Sequence, residues 1–142
     1  MQKQSLIYSL NEMDKAVDFL YRYMDTCRLF TFEGSLGSGK TTLIRELLKR
    51  YGIQKGVTSP TFNLLNVYEN ERRQTFYHFD LYRINSVQDF LASGFDEYWN
   101  MPNSWVFIEW PEVIDVLLAK KDHCKVKIDY QKTDRRLLQL II

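Results

Sequence analysis

Residues 34–41 read Gly34-Ser35-Leu36-Gly37-Ser38-Gly39-Lys40-Thr41. Glycine, four residues, glycine, lysine and a hydroxyl residue is the spacing of a phosphate-binding P-loop. Each position answers a physical need. Glycine lets backbone N–H groups turn inward and approach phosphate oxygens with no Cβ between them. Lys40 supplies a compact cation for β- and γ-phosphates. The Thr41 hydroxyl suits Mg2+, an ion that keeps most of its waters and takes few protein oxygens. The amides of Leu36, Gly37, Ser38, Gly39, Lys40 and Thr41 are expected to cradle the phosphates, with Thr42 beside them. The helix that follows points its positive end at the same charge.

The flanks supply the context the motif requires, which is strand, glycine loop, helix. Arg28-Leu29-Phe30-Thr31-Phe32-Glu33 is short, aromatic and apolar, as a buried strand is. Thr42 to Arg50 carries apolar residues at helical spacing, and Gly52 follows as a stop. Upstream, Leu6-Ile7-Tyr8-Ser9 reads as a strand. A helix from Glu12 to Met24 follows it, capped by Ser9 or Asn11, with Met13, Val17, Leu20 and Met24 on one face. Downstream, residues 61–68 and 74–80 are two strands joined by the polar Glu69-Asn70-Glu71-Arg72-Arg73, short enough for an antiparallel hairpin. Ser86 caps a short helix to Ala92, with Gly94 at its end. Trp105-Val106-Phe107-Ile108 has the unbroken apolarity of a central strand. A helix starts at Pro111 and runs to Leu118. Lys125 to Tyr130 alternates as a half-exposed strand does, and Arg136 to Ile142 closes the chain as another. Alternating strands and helices with hairpins among them predict an α/β P-loop NTPase fold: a mixed β-sheet flanked by helices, in one domain spanning 1–142.

Composition narrows the function classes. With 45% hydrophobic and 15% aromatic residues, the chain is too apolar to remain disordered. A net charge of +1 gives no general attraction to nucleic acid or membrane, so contact with RNA has to come from a local patch or a partner. No apolar run approaches the ~20 residues of a membrane span, and the N-terminus does not lead into a signal-peptide core. Cys27 and Cys124 have no metal-binding spacing and read as small buried hydrophobes in a reducing compartment. A cytoplasmic location is expected.

A bound triphosphate needs help in holding Mg2+ and aligning a water, and acids at the C-terminal ends of apolar strands are suited to both. Asp80 ends Phe76-Tyr77-His78-Phe79, and Glu109 ends Trp105 to Ile108. Two readings stand for each: a carboxylate at the metal, or a cap on the next turn. Thr58-Ser59-Pro60-Thr61 is either a switch-like segment with hydroxyls toward the γ-phosphate or a plain loop. His78 reads first as a structural residue. Tyr98, Trp99, Trp105 and Phe107 read as core, and Trp110, between Glu109 and Pro111, as a shield against water.

Four blocks in order carry a resemblance: Gly34 to Thr42, Thr58-Ser59-Pro60-Thr61-Phe62, His78-Phe79-Asp80-Leu81-Tyr82-Arg83, and Glu109-Trp110-Pro111-Glu112. Together, over nearly the whole chain, they resemble the TsaE family of small bacterial P-loop ATPases in tRNA threonylcarbamoyladenosine biosynthesis. The resemblance implies a weak, partner-dependent ATPase that uses ATP and Mg2+ and works with TsaD and TsaB, reaching tRNA through that complex. It implies that Asp80 lies on the metal side, that Glu109 lies at the metal and γ-phosphate, and that Thr61 belongs to the switch-like segment. Arg136 matches a C-terminal arginine near the adenosine, with Arg135 adjacent. The family's nucleotide-touching threonine in the first helix falls on Met13, which cannot make the same hydrogen bond.

Lys40, Asp80 and Glu109 are thus the expected catalytic groups, and Thr41, Asp80 and Glu109 the expected metal ligands. No arginine finger is evident, although Arg45 and Arg83 are placed for local ion pairs. Two rivals use the same loop. A small-molecule kinase would phosphorylate an acceptor, but the sequence shows no arginine-rich lid. A nucleotide-gated binding protein would not hydrolyse, and Asp80 and Glu109 count against it.

Overall fold

The computed structural model describes residues 2–54, 56–58, 60, 63–132 and 134–142. Among these, seven strands form one sheet. They are β1 (Lys3–Ser9), β2 (Leu29–Glu33), β3 (Leu65–Glu69), β4 (Thr75–Asp80), β5 (Ser104–Glu109), β6 (Cys124–Tyr130) and β7 (Arg135–Ile141). The helices are α1 (Met13–Tyr21), α2 (Lys40–Lys49), α3 (Val87–Ala92) and α4 (Asp115–Leu118). The sheet order is β1-β7-β6-β2-β5-β4-β3. The four central strands β6, β2, β5 and β4 run parallel, and antiparallel pairs complete both edges. This is the expected P-loop NTPase arrangement, a mixed sheet flanked by helices.

The pleat sorts side chains into two cores. On one face Phe30, Phe32, Phe76, Trp105, Phe107, Val126 and Ile128 meet α1 and α2 through Val17, Leu20, Leu43, Ile44 and Leu47. On the other face Leu29, Tyr77, Phe79, Val106 and Ile108 meet Phe90, Ile114 and Leu118. Strands covered on both sides need apolar residues at every position, which explains the unbroken runs in β2 and β5.

Several boundaries differ from the sequence reading. The first helix ends at Tyr21, not Met24. The Trp105 indole donates to the Met24 carbonyl at 2.7 Å, and the chain closes tighter turns, Tyr23 N–H to Leu20 O at 2.9 Å among them. At its start a 3-10 turn, Leu10–Glu12, precedes α1, with the Ser9 amide donating to Glu12 Oε1 at 3.1 Å. After β5 the expected helix is a 3-10 turn, Pro111–Ile114, followed by the short α4. The first hairpin strand, expected over 61–68, is Leu65–Glu69: Asn63 and Leu64 lie in a turn, Leu64 with φ 66°, and 61–62 lie outside the described residues. Ser86 caps α3 as expected, accepting from the Asp89 amide at 3.1 Å. No helix among the described residues is long and apolar enough to cross a membrane.

Phe107 is the hub of the first core, with ring centroids 5.8, 6.0 and 6.4 Å from Phe30, Phe32 and Phe76. Phe107→Ala is expected to lower unfolding stability by about 3–5 kcal/mol, the range for a buried aromatic truncated in a packed core. Urea unfolding followed by far-UV circular dichroism checks this: the midpoint should fall while the m-value stays unchanged.

Candidate functional site

Strand register assembles the site. His78 and Asp80 share one face of β4, and Phe107 and Glu109 share one face of β5. The parallel pairing sets His78 against Phe107 and Asp80 against Glu109. Phe76 and Phe107 lie in the core beneath α1 and α2, so both carboxylates emerge on the side where α2 begins. Thr41, in the first turn of α2, meets Glu109 there. Its Oγ1 lies 2.9 Å from each oxygen of Glu109. On its other side Glu109 Oε2 is 2.6 Å from His78 Nε2. The histidine and the two acids are at or near full burial: His78 0%, Glu109 2% and Asp80 3% exposed.

Of the two readings for each acid, Glu109 is tied to Thr41 and His78 rather than to a following turn. Asp80 makes the turn contact, Oδ1 accepting from the Tyr82 amide at 3.0 Å, and it also lines the cleft over the loop.

The P-loop is held from behind. The Tyr130 hydroxyl donates to the Gly37 carbonyl at 2.6 Å, and Arg136 Nε donates to the Ser38 carbonyl at 3.2 Å. The Arg136 guanidinium also lies over the Tyr130 ring, 4.1 Å from its centroid. In a trans peptide the C=O and the next N–H point opposite ways. Fixing the Ser38 carbonyl against Arg136 therefore turns the Gly39 amide away from Arg136. Gly39 has φ 107°, a conformation L side chains rarely adopt. The first turn of α2 adds N–H groups with no intrahelical acceptor, up to Leu43 N–H, which reaches the Gly39 carbonyl at 2.9 Å.

In front of the loop, Lys40 Nζ donates to the carbonyls of Gly34 and Ser35 and lies 3.7 Å from the centroid of the Trp110 ring. Burial holds its amine below the usual lysine range, opposed by the charges of Glu109, Glu112 and Asp80. Trp110 adopts φ 56°, ψ 58° and meets the Tyr82 ring edge-on at 5.0 Å. The resulting cleft has a volume of about 630 Å³. It is lined by residues 36–42 with Asp80, Tyr82, Arg83, Glu109 and Trp110.

Most residues singled out from the sequence thus converge: Leu36, Gly37, Ser38, Gly39, Lys40, Thr41, Thr42, Asp80 and Glu109 all line this cleft. Arg136 does not line it but braces the loop from behind, while Arg135 is exposed. Thr61 lies outside the described residues. Met13 packs against the first core and is not part of the cleft wall. Three participants were missed as site residues. His78 had a usable signal, since it stands two residues before Asp80 and therefore shares its face. Tyr82 and Tyr130 had none, because their roles depend on tertiary pairing.

The donor set fits Mg2+ with a polyphosphate. Among the described residues no three His, Cys, Asp or Glu side chains are grouped to enclose a metal. The oxygens at hand are one hydroxyl and two carboxylates, and Mg2+ takes one or two carboxylates plus substrate phosphates and water. Ser38 Oγ is buried in the loop with no hydrogen-bond partner among the described residues, a polar atom of the kind a bound group satisfies.

Comparison with known proteins places this geometry among relatives. Residues 7–138 match the family described as "Threonylcarbamoyl adenosine biosynthesis protein TsaE". A tRNA threonylcarbamoyladenosine biosynthesis protein TsaE from Rickettsia felis is 34% identical over 131 residues, 92% of this chain and 74% of that protein. The Haemophilus influenzae protein of the same name is 41% identical over 108 residues, 76% of this chain and 66% of that protein. The crystal structure of Bacillus subtilis YdiB superposes with a TM-score of 0.76 at 25% identity, covering 98% of this chain and 84% of that one.

The loop's close packing yields a test. A Cβ on Gly34 would lie 2.5 Å from Ser38 Oγ and 2.7 Å from the Ile128 carbonyl, so the backbone must move. Gly34→Ala is expected to weaken binding of a fluorescent nucleoside triphosphate at least about tenfold, or 1.4 kcal/mol. Unchanged affinity in a titration would contradict the loop's role.

Proposed function

The chain belongs to the TsaE family, and from that premise we propose that it is a Mg2+-dependent ATPase. In this reading it acts in the cytoplasm with TsaD and TsaB in forming threonylcarbamoyladenosine on tRNA. The observation that carries the reading is the contact of the Thr41 hydroxyl with both oxygens of Glu109, with Asp80 alongside in register. A P-loop hydroxyl joined to a carboxylate at a neighbouring strand end is the arrangement that serves a triphosphate and its cation.

Phosphoryl transfer to water asks the protein mainly for positioning and electrostatics. The first-turn amides of α2 and the loop amides face the polyphosphate. Lys40, held within the same cleft, stabilises charge that develops on the transferred group. Thr41 and Asp80 would hold Mg2+ directly or through water, and Glu109 would orient a water of the metal or the attacking water. Bound there, Mg2+ would supply charge neutralisation to the phosphates. Trp110 and Tyr82 limit water at the reacting end.

Among the residues lining the cleft the cations are Lys40 and Arg83. In related chemistry an arginine supplied by a partner raises the rate by ~10³–10⁵, which agrees with an ATPase that is weak until TsaD and TsaB join it. The near-zero net charge agrees with reaching tRNA through those partners rather than alone.

Lys40→Ala is expected to lower ATP turnover by roughly 10²-fold or more, by analogy with removing a transition-state donor; normal phosphate release in that variant refutes the role. Asp80→Asn should weaken nucleotide binding only when Mg2+ is present. An affinity that keeps the wild-type response to Mg2+ contradicts the metal assignment. The reading as a whole is tested by reconstitution. Phosphate release and repeated tRNA modification are measured in one mixture with and without TsaD and TsaB, and both should rise together when the partners are added.

A further inference from the structure

Glu109 closes a strand whose six residues are all buried, so its carboxylate cannot be satisfied by bulk water. Thr41 serves it from the helix side and His78 from β4. The contact with His78 is the shorter of the two kinds, 2.6 Å against 2.9 Å, and joins two side chains 31 residues apart in sequence. We propose that His78 is the positioning residue for Glu109: its imidazole Nε2 fixes the carboxylate plane so that both oxygens are presented to the Thr41 hydroxyl. This inference rests on the functional reading above, in which Glu109 acts at the triphosphate and its cation.

Three observations converge on it. First, His78 is fully buried and its Nδ1 has no hydrogen-bond partner among the described residues. Among these residues the ring is therefore held by one polar contact, the one to Glu109. A histidine kept only for packing does not need that contact, and an aliphatic residue would fill the space without burying Nδ1 unpaired. Second, the register sets Asp80 directly beside Glu109 on the adjacent strand. Like charges opposed in this way push apart, and a carboxylate torsion is broad and soft. Without His78, Glu109 is free to rotate away from Asp80 and lose its two-oxygen approach to Thr41. Third, His78 is not among the residues lining the cleft. It acts through Glu109 and does not touch substrate. Partners of this outer kind usually affect metal affinity or activity about 10–100-fold.

The test uses the full chain with Mg2+ and ATP under single-turnover conditions, so that a low steady-state rate does not hide the step. His78→Phe keeps a ring in the core and deletes the hydrogen bond. His78→Gln keeps an N–H donor at similar reach. The expected result for His78→Phe is a rate constant about 10–100-fold lower and a higher Mg2+ concentration at half-maximal rate. Binding of the fluorescent ATP analogue without Mg2+ should stay within about threefold, which separates positioning from general damage to the cleft. His78→Gln should recover most of the loss. His78→Phe combined with Glu109→Gln should be no slower than Glu109→Gln alone, since the two act as one unit.

A wild-type rate in folded His78→Phe overturns the inference, and so do equal losses in the Phe and Gln variants or additive losses in the double variant. If His78→Phe does not fold, His78→Leu takes its place, with the same loss of rate, the same recovery in His78→Gln and the same non-additivity with Glu109→Gln expected. Failure of the underlying reading looks different: Glu109→Gln then hydrolyses ATP at the wild-type rate, or the wild-type protein releases no phosphate even with TsaD and TsaB.

Discussion

A carboxylate at the end of an apolar strand sets the terms for this molecule. Glu109 is 2% exposed, and taking an ionised carboxylate out of water costs several kcal/mol unless it is well bonded. Its partners come from two other elements, Thr41 at the start of α2 and His78 on β4. Satisfying Glu109 therefore fixes where α2 begins relative to β5, and the loop between β2 and α2 must bridge that position. The site and the packing of the sheet's centre are in this sense one problem. Core aromatics such as Phe107, two residues before Glu109 on the same face, supply the rigid base on which the carboxylate stands.

The loop itself is pinned from opposite sides. Tyr130 and Arg136, on two neighbouring antiparallel strands, hold its carbonyls from behind. In front, Trp110 covers Lys40. That tryptophan sits in a left-handed conformation just before a proline, a combination two steric rules disfavour. Strain of this kind costs roughly 1–3 kcal/mol. The cation–π contact with Lys40 offsets about 0.5–2 kcal/mol and the edge-on contact with Tyr82 about 0.5–1.5 kcal/mol. The sums are comparable, so the turn persists because its two neighbours hold it. Both neighbours line the cleft, which places the strain where a bound group would meet it.

What the sequence made legible follows from what is local. Gly34 to Thr41, the buried strands on either side of it and the acids ending β4 and β5 are patterns within short windows, and they converge in space as the strand-end rule requires. The register decides the rest. His78 joins the site because β4 pairs with β5 two residues in step with Asp80, a fact carried by pairing and not by the residue type. Arg136 could be matched to a family position but not placed; its contact with Ser38 depends on β7 lying beside β6. The end of α1 was misjudged because the Trp105 indole, far along the chain, takes the Met24 carbonyl. Of the two cysteines read as buried, Cys124 is buried and Cys27 only half-buried, its thiol donating to the Leu29 carbonyl at 3.3 Å.

Chain direction explains why the cleft opens where it does. Leaving β2, the chain crosses to the face of the first core, where α2 packs; leaving β5, it crosses to the other face, where Ile114 and Leu118 pack. β2 and β5 are adjacent and parallel, with Phe32 beside Glu109. Connections that diverge to opposite faces leave a crevice at the C-terminal ends of the two strands, the topological switch point of an open α/β sheet. Covered from neither side by these two crossings, that crevice lets the loop's amides and a buried carboxylate face the same volume. Thr41 reaches Glu109 across it, so the hydroxyl–carboxylate contact is a consequence of strand order as much as of residue choice.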